Sequence, residues 1–260
     1  MPYKGSKNKI ADKIMSVIPD AEYFVDLFGG GGAMIDCAMQ SGKYQKGIYN
    51  ELEPLIYKGF TMAIKGEFKG EKRWISREDF FKLKDTDPYV AICWSFGNDC
   101  KTYLYSPELE RLKKHLHYIF FAETPKEARL HWKAFVREYK HNTQEIDRLQ
   151  SLQSLESLER LETFNLSYEQ VEIPDNSVVY CDIPYKSTNS YLSEFNHDKF
   201  YDWCRNQSGL VFISEYDMPD DFYLVEEWSR NNILSPNSCS KVIERLYCNK
   251  EYKLEKQLEF

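Results

Sequence analysis

The chain has 260 residues, 42% of them hydrophobic and 15% aromatic. That allows one large domain or a domain with a substantial insertion, and excludes a disordered chain. No apolar run approaches the ~20 residues of a membrane span, and the basic start MPYKGSKNKI has no apolar stretch behind it, so neither a membrane protein nor a signal peptide is expected. A net charge of −7 weighs against nucleic-acid binding, since phosphate affinity comes from Lys and Arg, but the basic residues are clustered and leave room for a local basic surface.

In chain order, Ser6 is placed to cap a helix in which Ile10, Ile14, Val17 and Ile18 share a face and which Pro19 ends. EYFVDLF (Glu22–Phe28) reads as a short buried strand, followed by four glycines, Gly29 to Gly32. AMIDCAMQ reads as a helix ending near Gly42. KGIYNE is a second strand, and PLIYKGFTMAI a second helix with Pro54 in its first turn. Helix, strand, glycine loop, helix, strand, helix is the opening of a parallel doubly wound sheet.

The middle changes character. Ser76-x-x-Asp79 caps a short helix. PYVAICWSFGNDCKTYLYS carries two aromatic-rich runs around Gly97-Asn98-Asp99, which suits a hairpin or an apolar helix running into a loop. Leu109, Leu112, Leu116 and Ile119 fall at helical spacing. Thr124-Pro125-x-Glu127 is a capping box before Ala128, Trp132, Phe135, Val136 and Tyr139, and both stripes read as core. Leu149, Leu152, Leu155, Leu158 and Leu161 recur every third residue. On a helix each such step turns by about −60°, which fits neither one face nor a heptad.

From Val178 the α/β alternation returns. SVVYCD is a strand, NHDKFYDWCRNQ a helix with Phe200, Trp203 and Cys204 inward, and GLVFISEY and DFYLVEEW are strands. KVIERLYCN is a final strand, the last arm of an antiparallel hairpin. The layout is one α/β domain formed by 1–65 and 166–260, split by a mostly helical insertion at 66–165. Seven widely spaced cysteines without a C-x-x-C pair argue against a disulfide framework and structural zinc, and suit reduced buried thiols in the cytoplasm. The five histidines show no metal spacing.

VDLFGGGGA sits where such a sheet binds a ligand, after the first strand and at the start of a helix. A tight strand-to-helix turn by itself does not call for four glycines in a row. Ala33-Met34 follow the glycines where a P-loop needs Lys-Ser/Thr. Met34 or Ile35 stands where a dinucleotide fingerprint needs a small residue. S-adenosylmethionine, which lacks phosphates, needs a glycine backbone for its methionine end and an acid for its ribose. Glu51 at the second strand tip is twenty residues past Gly31. Asp26, just before the loop, is placed to meet the ammonium group.

With VVYCDIPY added, the chain resembles the DNA amino-methyltransferases of the Dam-like (D12) N6-adenine class, especially the versions found in phages and prophages. YKGSKNKI resembles the N-terminal motif bordering the cofactor, VDLFGGGGA the cofactor loop, YNELEP the ribose-binding strand end, and VVYCDIPY the catalytic Asp-Pro-Pro-Tyr motif. VFISEYDMP and IERLYCN match later strands. Cofactor loop, recognition region, catalytic motif is the family's α-type order. The resemblance implies a Rossmann-like class I methyltransferase fold using S-adenosylmethionine. It implies double-stranded DNA as partner with the target adenine flipped out, and a monomer is favoured. It also implies cofactor contacts from Tyr3, Lys7, Asp26, Phe28, Gly29, Gly30, Gly31, Gly32, Glu51 and Asp182. Taken alone, Lys7 reads equally well as a solvated helix-start residue.

The chemistry explains the residue types. Adenine N6 is a poor nucleophile because its lone pair is delocalised into the ring, so it must be held in line with the methyl carbon while its developing positive charge is stabilised. By the resemblance, Asp182 and the main-chain oxygen of Ile183 each accept one N6–H, Pro184 fixes the turn, and Tyr185 stacks on the extruded base. Ile183 stands where the family usually has the first proline. The contact needed there is a carbonyl, which Ile also has, so some rigidity is lost rather than the chemistry. Asn98 and Lys101 are candidates for base or phosphate contact. Two alternatives stay open: another exocyclic amino or amide target (cytosine N4, RNA adenine, glutamine), or a DNA-binding protein that keeps the fold without turnover.

Overall fold

The structure is a computed structural model, and it describes residues 1–2, 5–136, 161–185, 195–232 and 240–252. The described chain divides into two compact units. One comprises Lys7–Leu52 and Arg160–Phe260 and holds the sheet; the other comprises Met1–Ser6 and Glu53–Glu159 and is helical.

The sheet unit contains α1 (Ala11–Val17), β1 (Tyr23–Asp26), α2 (Ala33–Ser41), β2 (Lys46–Asn50), β3 (Leu161–Phe164), β4 (Ser177–Asp182), β5 (Leu210–Ser214), β6 (Tyr223–Asn232) and β7 (Ser240–Cys248), with one further helix at His197–Asn206. Its seven strands run in the order β3-β2-β1-β4-β5-β7-β6. The first five pair in parallel, and β7 is antiparallel to both β5 and β6. This is the doubly wound class I methyltransferase order, with its closing antiparallel hairpin.

Strand parity decides which side chains meet. Val25, Ile48, Val179, Cys181, Val211 and Ile213 point to one face, where Phe200 and Cys204 of the His197–Asn206 helix join the same buried cluster. Phe24 and Tyr180 stack on the other face. There, a Cβ added at Gly47 would lie 2.8 Å from Met39 and 2.9 Å from Ile35, both on α2, so the glycine lets that helix approach closely. Covered on both faces, the central strands are nearly continuous apolar runs.

Several expectations shift by local chemistry. α1 starts at Ala11 with Ile10 at the cap position and no side-chain cap, so Ser6 does not cap it. β1 is confined to Tyr23–Asp26 because Leu27 onward leaves the sheet to form the glycine loop. α2 ends as expected at Gly42, whose φ of 74° is left-handed. β3 has no counterpart in the sequence reading: it is four residues long and only half buried, so it lacks a legible pattern. Leu161 opens it, while Leu149, Leu152, Leu155 and Leu158 lie outside the described residues.

In the helical unit, α3 is Pro54–Ile64, α4 Arg77–Leu83, α5 Pro88–Cys93, α6 Pro107–Phe120 and α7 Pro125–Val136; the helix closing the sheet unit is α8. Ser76 caps α4 by accepting from Asp79 N; Thr124 Oγ1 accepts from Glu127 N, one half of the expected capping box, while the Glu127 carboxylate accepts from Glu123 N. The aromatic 88–105 stretch is not a hairpin. It is an apolar helix and a short 3-10 turn, with a lone bridge between Ser95 and Tyr103. Asn98, left-handed at φ 57°, turns its amide back to the Ile92 carbonyl at 3.3 Å. The stripes on α6 and α7 are not simply core: Leu109 and Trp132 are exposed, and Lys113 and His117 are buried instead. Part of the basic cluster is spent on ion pairs, Arg73 with Glu71 and Asp87, and Lys72 with Glu123.

Candidate active site

In the sheet order, β1 connects outward to β2 on one side, and its other neighbour is β4. The chain direction across the sheet therefore reverses between β1 and β4. In open α/β sheets the ligand crevice lies at such a switch point, beyond the carboxyl ends of the strands. Asp26 is level with Tyr180, and the Leu27 amide donates to the Tyr180 carbonyl at 3.2 Å. The glycine loop leaving β1 and the Asp-Ile-Pro-Tyr turn leaving β4 are thus side by side.

The loop is tied to the tip of β2. Gly29 N donates to Asn50 O (2.9 Å), Gly30 N to Glu51 Oε2 (2.9 Å), and the Tyr49 hydroxyl to Gly30 O (2.8 Å). Gly32 N closes the turn on Gly29 O at 2.7 Å, and Gly30 and Gly32 have φ of 45° and 75°. Asn50 braces the base of the crevice, donating to Leu27 O and Leu166 O and accepting from Leu166 N. Phe28 leaves the loop for an aromatic cluster with Tyr168, Phe195 and Phe200.

Asp26 lies under this loop, 1% exposed, and neither carboxylate oxygen has a hydrogen-bond partner among the described residues. Burial pushes its pKa well above the usual carboxylate range, and the charges of Asp182 and Glu51 add to the shift. The amides of Ile35 and Phe28 oppose it without completing hydrogen bonds of normal geometry.

Across the switch point, Lys7 is 5% exposed, not solvated. Its carbonyl accepts from Ile10 N (2.8 Å) in the turn before α1, and its ammonium donates to Asp182 Oδ1 and to the Tyr185 hydroxyl, both at 2.8 Å. Burial raises the Asp182 pKa, and the Lys7 charge and hydrogen bond hold that rise back. Tyr185 donates to Glu244 Oε2 on β7 at 3.1 Å, and its ring meets Tyr216 edge-on at a centroid distance of 4.5 Å. Ile183 is buried in the core cluster, and the Pro184 carbonyl lies 2.8 Å from His197 Nε2 at the start of α8. Burial and a hydrogen bond thus hold the turn where the family usually has a further proline ring.

Asp26, the four glycines, Glu51, Lys7, Asp182 and Tyr185 therefore gather at one end of the sheet. Phe28 borders the loop from the other face, and Tyr3 lies outside the described residues. Sequence reading missed Tyr49, Asn50, His197, Tyr216 and Glu244. For Glu244 a signal existed: it shares strand parity with Leu246 and Cys248, both fully buried, and is a lone acid on an apolar face.

No curated protein matches the chain. Among solved structures it is similar to the rRNA methyltransferase AviRa from Streptomyces viridochromogenes, with 10% identity over 95% of this chain and 86% of that one and a TM-score of 0.42, too distant to inform substrate. The family model for the D12 class N6 adenine-specific DNA methyltransferases matches residues 3–217, without singling out phage or prophage versions. With the switch-point crevice, the glycine loop and the Asp-Ile-Pro-Tyr turn all within that span, the chain belongs to the D12 class of N6 adenine-specific DNA methyltransferases.

Proposed function

We propose that the crevice between β1 and β4 binds S-adenosylmethionine on the glycine-loop side and an adenine flipped out of duplex DNA on the Asp182 side. The buried Asp26 carboxylate, lacking a hydrogen-bond partner among the described residues, suits the ammonium of a cationic donor. The glycines admit a ligand against bare backbone. Glu51, already holding the loop through Gly30, borders the position for the ribose hydroxyls. Bound there, S-adenosylmethionine supplies an electrophilic methyl group.

The protein's own part is orientation and charge. Asp182 and the main-chain oxygen of Ile183 each accept one N6–H, turning the nitrogen lone pair out of the ring and toward the methyl group. As N6 becomes cationic, the adjacent carboxylate stabilises it without reorganising, because Lys7 already fixes one of its oxygens. Tyr185, held at its hydroxyl and against Tyr216, offers a preset stacking surface for the extruded base.

The carrying observation is the convergence of Lys7, Asp182 and Tyr185 beside the glycine loop. Transfer of labelled methyl from S-adenosylmethionine to unmethylated DNA, with RNA as a parallel substrate, tests it. Wild type labels DNA at adenine N6. Asp182→Ala still binds cofactor and transfers nothing. Full activity in Asp182→Ala overturns the assignment.

A further inference from the structure

The Tyr185 hydroxyl is surrounded by three charged groups. Lys7 Nζ donates to it at 2.8 Å, and Glu244 Oε2 accepts from it at 3.1 Å. The same ammonium donates to Asp182 Oδ1 at 2.8 Å, which sets that carboxylate beside the phenol. A phenol has one proton and two lone pairs, and an ammonium can only donate. A lone pair must therefore face Lys7, and among the described residues Asp182 and Glu244 compete for the single proton. Given to Asp182, the proton adds a second donor to a carboxylate that Lys7 already engages through Oδ1, leaving less of it for an incoming amino group. Given to Glu244, it leaves Asp182 with one donor fewer, Lys7 being its partner among the described residues.

We propose that Glu244 is a positioning residue that draws the Tyr185 proton away from Asp182, keeping the Asp182 carboxylate open to the adenine amino group and anchoring the Tyr185 ring. The inference rests on the reading of Asp182 and Tyr185 given above. Glu244 is 5% exposed and sits on β7 opposite Trp228 of β6, two residues before the stretch that pairs with β5, so strand pairing fixes the backbone that delivers its carboxylate to the phenol. Asp182 keeps 24% of its side-chain surface open. Two carboxylates around one ammonium also leave the site net anionic, matched to a cationic donor and to the charge growing on N6.

The test measures kcat and KM for labelled S-adenosylmethionine with unmethylated genomic DNA in wild type, Glu244→Ala, Glu244→Gln, Tyr185→Phe and the Tyr185→Phe/Glu244→Ala double variant. Glu244→Ala should lower kcat on the order of 10-fold to 100-fold, as small misplacements of reacting groups do, with KM for the cofactor changed less than about 2-fold. Glu244→Gln keeps an acceptor oxygen and should recover most of the loss. In Tyr185→Phe, which has no phenol proton to direct, adding Glu244→Ala should cost little more. If Glu244→Ala does not fold, Glu244→Met fills the volume without an acceptor and replaces it. A Glu244→Ala kcat equal to wild type, a Gln variant no better than Ala, or an equal loss in the Tyr185→Phe background each overturns the proposal. An active Asp182→Ala points instead to failure of the underlying site reading; an inactive Asp182→Ala beside a fully active Glu244→Ala sinks this inference alone.

Discussion

Gly29→Ala isolates what the glycine loop contributes physically. A Cβ at Gly29 would lie 2.1 Å from Tyr49 Cε2, 2.4 Å from Cδ2 and 3.0 Å from Cζ, against a carbon–carbon contact of about 3.5–4.0 Å. The Tyr49 ring is fully buried, with its hydroxyl bound to the Gly30 carbonyl, and the loop is pinned to Asn50, so neither side yields freely. Overpacking costs roughly 1–3 kcal/mol, and a broken Tyr49–Gly30 bond about 1 more. The expected destabilisation is about 2–4 kcal/mol, or about 4–16 °C in melting temperature for a chain of this size. Gly42→Ala is the control: no atom of the described residues lies within 4 Å of its Cβ position, and the left-handed φ of +74° opposes it, worth about 1–2 kcal/mol. Scanning calorimetry gives the stabilities, and titration calorimetry with S-adenosylmethionine gives affinity, which should fall in Gly29→Ala only. Tyr49→Leu, by vacating the ring, should relieve much of the Gly29→Ala penalty in the double variant. If Gly29→Ala melts within about a degree of Gly42→Ala and binds cofactor as wild type does, steric closure by Tyr49 is not what keeps this position glycine.

Asp26 gives a pH prediction. Its folded pKa is raised, so its contribution to stability is fully present below the unfolded carboxylate pKa and is lost as pH rises through the folded value. Asp26→Asn should therefore melt higher than wild type in alkaline buffer, with the difference vanishing toward acid, while binding S-adenosylmethionine more weakly; a pH-independent difference in melting temperature refutes the buried-charge account. Asn50→Ala removes the partners of Leu27 O, Leu166 O and Leu166 N at once. Leu27 O is buried while the Leu166 groups are part-buried and can turn to water, so the loss should be that of one stranded buried group, about 1–3 kcal/mol, seen as a lower urea midpoint at unchanged slope; a midpoint equal to wild type contradicts the bracing role.

The local sequence determined a good deal here. The apolar runs of β1, β2, β4 and β5, the proline and serine that open α3 and α4, and the glycine that closes α2 are written in neighbouring residues, because dihedral preference and burial periodicity act over a few positions. The two motifs that carry the chemistry were legible for the same reason: a glycine run after a buried strand and an acid at another strand's tip are short patterns. What only the tertiary structure decided is who meets whom. β3 carries no pattern of its own and exists because β2 offers it an unpaired edge. Lys7 looks like a surface lysine until β4, some 175 residues later, brings Asp182 to within 2.8 Å of it. Glu244 becomes Tyr185's acceptor because β7 inserts antiparallel between β5 and β6. Sheet neighbours are chosen by the sum of packing over both faces, a long-range quantity that no local window contains.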